Sequence, residues 1–232
     1  MDVVYICRPG DNEELRYSIR SVVKNLAHDS LWVVGDKPDW YGGNFLYSNL
    51  ANSQYFQVWN NLRAIIDCPE ISDDFILMND DFFIVDYVDS VDYFYWDVLE
   101  SVGKWRKDNG YGGQDYVNKH FATAHQLWVH DKIKNPLNYE LHVPMVFNKE
   151  KLAKIIGRYQ LYRSGYGNVY GVGGYERRDV KVYSNPKLQA ISFDYQDEYT
   201  EYLSSEDVSF EQLREDLLAV MFSEKSQYEL DL

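Results

Sequence analysis

Phe75-Ile76-Leu77-Met78-Asn79-Asp80-Asp81-Phe82-Phe83-Ile84-Val85 sets an amide and two acids inside an otherwise apolar run. A short apolar run of this kind reads as a buried strand. Two carboxylates beside it are costly to desolvate unless something neutralises them. A hard divalent cation does so, because carboxylate oxygens are its preferred ligands. In open α/β sheets ligands bind beyond the carboxyl ends of strands, and Asn79-Asp80-Asp81 would stand there. The alternative is a strand-end turn with two solvated aspartates, and spacing alone leaves both readings open.

Working back towards the N-terminus, Val3-Val4-Tyr5-Ile6-Cys7 reads as a first buried strand, broken by Arg8-Pro9-Gly10. Asp11 or Asn12 caps the helix that follows, with Glu14 placed three residues after Asp11 as in a capping box. Leu15, Ile19, Val22 and Leu26 form its apolar stripe. Leu31 to Gly35 reads as a second buried strand ending at Asp36. Val58, Leu62, Ile65 and Ile66 give a second helix its buried face, and Pro69 closes it. Strands alternating with helices imply an α/β fold with a mostly parallel central sheet flanked by helices.

Beyond Val85 the pattern is less regular. Helices are expected at Asp97 to Lys107, Asn118 to Trp128 and Lys149 to Ile156, and a loop at Gly110 to Gly113. Gly157 to Gly174 interleaves glycine with tyrosine and reads as a long, functional loop. Late strands are expected at Val180 to Tyr183 and Ala190 to Phe193. Ser209 would cap a last helix with the stripe Leu213, Leu217, Val220 and Met221. Without a repeat or a linker, residues 1–232 read as a single domain.

Composition narrows the function. The 232 residues carry 37 acidic and 23 basic side chains, a net charge of −14, which disfavours nonspecific nucleic-acid binding. An acidic protein that binds a diphosphate needs a local positive charge, and a metal ion supplies one. The 21 tyrosines suit stacking on a sugar or base, and equally suit a half-buried surface. Cys7 and Cys68 lack the spacing of a disulfide scaffold or a zinc site. No apolar run approaches the roughly 18 residues of a membrane span, and no signal pattern opens the chain, so the cytoplasm is the expected location.

Four further elements are candidates. Arg8 lies at the strand–helix turn, where a helix N-terminus favours anions, and Asp36 could accept a hydrogen bond from a ribose or a base. Arg16 and Arg20 stand one turn apart, able to reach a common phosphate or to remain solvated. His142, in Glu140-Leu141-His142-Val143-Pro144, could complete a metal's ligand set or bond a phosphate, or be structural. Arg163, in Arg163-Ser164-Gly165-Tyr166-Gly167-Asn168, could close over a diphosphate and exclude water, if its segment is a moving loop.

These residues carry a family resemblance. Val3 to Asp36, centred on Asp11 to Val22, resembles the opening of the Stealth sugar-phosphate transferases, and Asn79-Asp80-Asp81-Phe82-Phe83 is similar to that family's Asn-Asp-Asp block. Small glycosyltransferase-like proteins of bacteriophages have a similar opening. Their later His-x-Pro and Arg-Ser-x-Tyr-Gly-Asn segments are similar to His142 to Pro144 and Arg163 to Asn168. The resemblance implies a GT-A-like, Rossmann-like domain, with a nucleotide-binding half at 1–95 and an acceptor half at 96–232. It implies Asp81 as the principal ligand of Mn²⁺ or Mg²⁺, with Asp80 beside it and His142 close by. Asn79 would lie near the ribose. Cys7, Arg8, Asp11, Asn12 and Asp36 would hold the nucleotide, and Arg16, Arg20, Arg163 and Asn168 would line the charged part of the site.

The expected activity is therefore metal-dependent transfer of a sugar from a nucleotide-sugar donor. The acceptor is left open among a glycan, a wall polymer, a protein and a modified DNA base, with charge leaning against nucleic acid. Asp115 and Asp131 are equal candidates for a base. The alternatives are sugar-1-phosphate transfer of the Stealth type, favoured less because the chain is short, and a noncatalytic nucleotide or carbohydrate binder.

Overall fold

The computed structural model describes residues 1–48, 54–184 and 200–231, with backbone alone at 54–56. The chain leaves a first compact unit after Val91 and returns to it twice. Unit 1 comprises Met1–Val91, His142–Glu150 and Val180–Leu232, and unit 2 comprises Asp92–Leu141 and Lys151–Asp179.

Unit 1 is built on a five-stranded sheet in the order β3-β2-β1-β4-β7. Its strands are β1 (Asp2–Cys7), β2 (Leu31–Gly35), β3 (Asn44–Tyr47), β4 (Asp74–Asn79) and β7 (Met145–Asn148). All pairings are parallel except β4 with β7. The three apolar runs of the sequence become β1, β2 and β4, the central strands, as continuous hydrophobicity dictates. From β1 the chain first builds outward through β2 and β3, then returns to place β4 on the other side. The order therefore reverses between β1 and β4.

Two helices connect these strands. Helix α1 (Glu13–Asn25) buries Leu15, Ile19 and Val22 completely, and α2 (Gln54–Asp67) buries Trp59, Leu62 and Ile65. Val58 and Ile66, expected on that buried face, are only half-buried. A second, three-stranded sheet has the order β5-β10-β9, from β5 (Phe82–Ile84), β9 (Lys181–Val182) and β10 (Tyr202–Ser205). It is tied to α1 by a buried polar row. Ser21 Oγ accepts from the Ile84 amide at 3.0 Å, Asn25 Nδ2 donates to the Ile84 carbonyl at 2.6 Å, and Ser18 bonds the Phe82 carbonyl. These residues recur at helical spacing on one face, so backbone groups of β5 find partners on a helix.

Unit 2 holds a short parallel pair, β6 (Phe94–Tyr95) with β8 (Tyr175–Glu176), and the helices α3 (Leu99–Asp108), α4 (Gly113–Asp131) and α6 (Tyr162–Val169). Helix α5 (Lys149–Ile155) spans the boundary between the units. None of the described helices is long and apolar enough to cross a membrane.

Three expectations change. The segment read as a Gly/Tyr loop contains α6, because Gly165 and Gly167 lie inside a helix where Tyr159 and Tyr139 press against their backbones. The last helix, α7 (Asp207–Leu213), is capped by Glu206, with Ser209 as the reciprocal partner of the box instead of the cap. It runs through a π-helical turn (Arg214–Leu218) into α8 (Ala219–Met221), and the extra residue in that turn moves the register. Leu218 is consequently buried, while Val220, placed on the stripe from sequence, is 76 % exposed. The strand expected at Ala190 to Phe193 lies outside the described residues.

A C-terminal strap closes unit 1. Arg20 grips Glu229 with two bonds of 2.7 Å and reaches the Phe222 carbonyl at 3.0 Å. The Gly42 amide donates to Tyr228 and the Leu230 amide to Trp40, each at 2.8 Å. Both partners of the ion pair are shielded, so removing one strands the other. Arg20→Ala should lower unfolding stability by about 3 kcal/mol. The companion Arg20→Ala/Glu229→Gln variant should recover part of that loss, as read by chaotrope denaturation.

Candidate functional site

The site grows from two strand ends that the sheet places side by side. Ile6 stands in register with Asn79, so Arg8 and Asn12, after β1, meet Asp80 and Asp81, the turn that joins β4 to β5. Asn12 caps α1 from a left-handed conformation, its Oδ1 accepting from the Leu15 amide at 3.2 Å. Its Nδ2 donates to Asp80 Oδ2 at 2.7 Å. One side chain thus fixes both the helix start and the acidic turn. On the other flank Gly35, with φ +117°, ends β2 against the Cys7 carbonyl. A β-carbon there would lie 2.5 Å from that oxygen, so only glycine allows the approach.

Each acid has partners within unit 1. Asp80 takes, besides Asn12, the Arg8 guanidinium, with Nε 3.4 Å from Oδ2. Asp81 Oδ2 accepts from Lys181 Nζ at 2.9 Å and from Ser204 Oγ at 3.1 Å. Both aspartate side chains are only 15 % exposed. Glu14, which the sequence suggested as part of a capping box, is instead a third acid of this cluster. It accepts from Arg8 Nη2 at 2.7 Å and from Ser205 Oγ at 2.9 Å. Arg8 also reaches the exposed Asp207 at 3.1 Å. Glu14, Asp80 and Asp81 therefore face Arg8 and Lys181, and with all five ionised the group carries one surplus negative charge.

Burial dominates the titration of Glu14 and Asp80. Burial, helped by Asp81 and Asp80, pushes Glu14 up to about 7 against the pull of Ser205 and Arg8. Burial also raises Asp80, and the neighbouring Asp81 adds to it. Cys7 is pushed up to about 12 by burial and by Asp80, so its thiol stays protonated and is no nucleophile. Asn79 Oδ1 is shielded from solvent and accepts no hydrogen bond from the described residues. A buried acceptor of that kind calls for a donor from outside.

The other sequence candidates are placed as follows. Asp36 follows Gly35 and is half-buried, close enough to Cys7 to raise its thiol. Asp11 offers its carbonyl to Trp40 Nε1 at 2.8 Å, tying the turn after β1 to the loop after β2. Arg16 pairs with Glu13 at 3.1 Å and lies over the Trp40 ring, and Arg20 belongs to the strap, so both serve Glu229 and its surroundings. The His142 ring stands edge-on to Phe82, with centroids 6.0 Å apart. Asp80, Asp81 and His142 are not assembled into one ligand set, and among the described residues no three His, Cys, Asp or Glu side chains are grouped to hold a metal ion.

Arg163 and Asn168 belong to unit 2. Arg163 is buried on α6 and is electrostatically coupled to Glu140, so it does not ride on a mobile loop. Asn168 is a brace, since its amide bonds the Leu137 carbonyl and the Ser164 carbonyl and its Oδ1 accepts from the Leu137 amide.

Sequence reasoning missed Glu14, Lys181, Ser204 and Ser205. Lys181 and the serines are more than 95 residues away from the acids they meet, and only strand pairing brings them there. Glu14 carried a local signal: a carboxylate one residue before the apolar stripe, in the first turn of a helix that starts at a sheet edge. No protein-family model matches the chain, and neither does any curated protein.

Glu14 gives a pH test. Its folded value lies above that of a free glutamate, so the folded chain holds the proton more tightly and loses stability as pH rises from about 4.5 towards 7. Glu14→Gln removes this loss. With a chelator present, the variant should become progressively more stable than wild type between pH 5 and 8, as read by thermal unfolding at each pH. A constant difference would contradict the placement.

Proposed function

We propose that the chain is a glycosyltransferase that moves a sugar from a nucleoside-diphosphate sugar, on a GT-A-like arrangement of unit 1. The observation that carries this reading is the contact of Asn12 and Arg8 with Asp80 where the strand order reverses. A crevice at that point of a parallel sheet is where nucleotides bind in open α/β folds. The buried, unsatisfied Asn79 Oδ1 beside it supports a ligand with a donor, such as a ribose hydroxyl.

The residues present fit a divalent cation held partly by substrate. Both aspartates place their hydrogen bonds from other side chains on Oδ2, the donors are hard oxygens, and the cluster has a negative surplus. Mg²⁺-like ions are commonly held by one or two carboxylates together with phosphate oxygens, which requires no complete protein cage. Asp80 and Asp81 would hold the ion. When bound, it supplies Lewis-acid stabilisation of the charge that grows on a leaving diphosphate.

The chain's own groups do the rest. Asn12 and Arg8 orient Asp80 and oppose the rise that burial and Asp81 impose on it. Lys181 and Ser204 orient Asp81. The Arg8 side chain is half-exposed and shared among Glu14, Asp80 and Asp207, and it would turn from them towards a phosphate. The start of α1 lies beside it, where backbone amides and the helix dipole favour an anion.

Incubation with a set of nucleotide sugars and Mn²⁺ should release nucleoside diphosphate. Asp81→Asn should reduce release about a hundredfold or more, and chelation should have the same effect. Release of nucleoside monophosphate would replace this reading with sugar-phosphate transfer. Saturable donor binding without release would replace it with a noncatalytic binder.

A further inference from the structure

Unit 2 contains a buried arginine whose Nε finds no hydrogen-bond acceptor among the described residues. Arg106, on α3, is 3 % exposed, and its guanidinium is held between the rings of Tyr111 at 4.6 Å and Tyr116 at 4.9 Å. Its Nε is fully shielded and has no hydrogen-bond partner among the described residues. Glu140 is close enough to interact electrostatically, yet its Oε1 is spent on the Ser164 amide at 2.9 Å and the Ser164 hydroxyl at 3.0 Å, and its main cationic neighbour is Arg163. A guanidinium N–H shielded from water without an acceptor is costly, so such a side chain marks a place where an acceptor arrives.

The surroundings of Arg106 match an anion. The N-cap of the 19-residue helix α4 is Gly112, whose left-handed backbone, φ +84°, offers no side chain to the first amides. Those amides, Gly113 to Asp115, have no acceptor within the helix, and the dipole adds to their pull on negative charge. A β-carbon at Gly112 would lie 3.1 Å from the Tyr116 ring and 3.5 Å from Arg106 Nη1, so the guanidinium lies beside the uncapped helix start. The carboxylate of the first turn, Asp115, is turned to solvent, 87 % exposed, and paired with Lys119 at 2.8 Å. It does not fill the place.

We propose that Arg106 and the N-terminus of α4 form an oxyanion site that takes a phosphate or carboxylate group. The site is independent of the acidic cluster of unit 1. Its fork supplies two parallel donors to a planar or tetrahedral oxyanion, and the tyrosine rings hold the fork rigid before the ligand comes.

The test uses the full chain, ¹⁵N-labelled, titrated separately with inorganic phosphate and with acetate at constant ionic strength in chloride. The Arg106 Nε–H and the Gly113 and Gln114 amides should shift saturably with at least one of the two, and which one saturates tells phosphate from carboxylate. Arg106→Gln should weaken the binding read at Gly113 and Gln114 at least tenfold. If that variant does not fold, Arg106→Lys, which keeps the charge and stem but not the fork, should show the same weakening. Shifts that never saturate with either anion overturn the proposal, as does unchanged affinity in the folded variant.

Discussion

Carboxylates that leave water must be met by donors or positive charge, and in unit 1 this requirement organises everything around the ends of β1 and β4. The bond from Asn12 to Asp80 is the central one. It joins the first helix's cap to the acidic turn, so one side chain fixes both the helix start and the site's geometry. Arg8, Lys181, Ser204 and Ser205 then complete the compensation, and they tie β9 and β10 to the first half of the chain.

The compensation is incomplete, and the remainder is informative. Glu14 shares Arg8 with Asp80, and burial raises the proton affinity of both carboxylates, with Asp81 and Asp80 adding to the rise at Glu14 and Asp81 to that at Asp80. A structural ion-pair network would gain stability from another cation or one fewer acid. A site that takes a cation with its substrate retains the deficit until the substrate arrives, and perturbed acids in such a position are a recognised mark of function.

The core of the fold was legible because it is local. Val3 to Cys7, Leu31 to Gly35 and Phe75 to Met78 are uninterrupted apolar runs that suit a sheet covered on both faces, and Leu15, Ile19 and Val22 repeat at helical spacing. What was not legible depends on contacts between distant residues. The antiparallel edge strand β7, the partners Lys181 and Ser204, and the strap residue Glu229 are positioned by pairing and packing, which leave no local pattern. Helix α6 was hidden for the opposite reason. Its glycines mimic a loop signal, but tertiary packing requires them where tyrosines press on the helix, and context overrides propensity there.

The central claim is that Asp80 and Asp81 hold a cation shared with a diphosphate at the end of β1. Anomalous scattering from Mn²⁺ in crystals of the chain grown with a nucleoside diphosphate tests it most directly. The account predicts one Mn²⁺ bound to the carboxylates of Asp80 and Asp81 and to diphosphate oxygens, with Arg8 turned towards the phosphates. A diphosphate bound elsewhere, with Asp81 still closed on Lys181 and no Mn²⁺ between the acids, would contradict it.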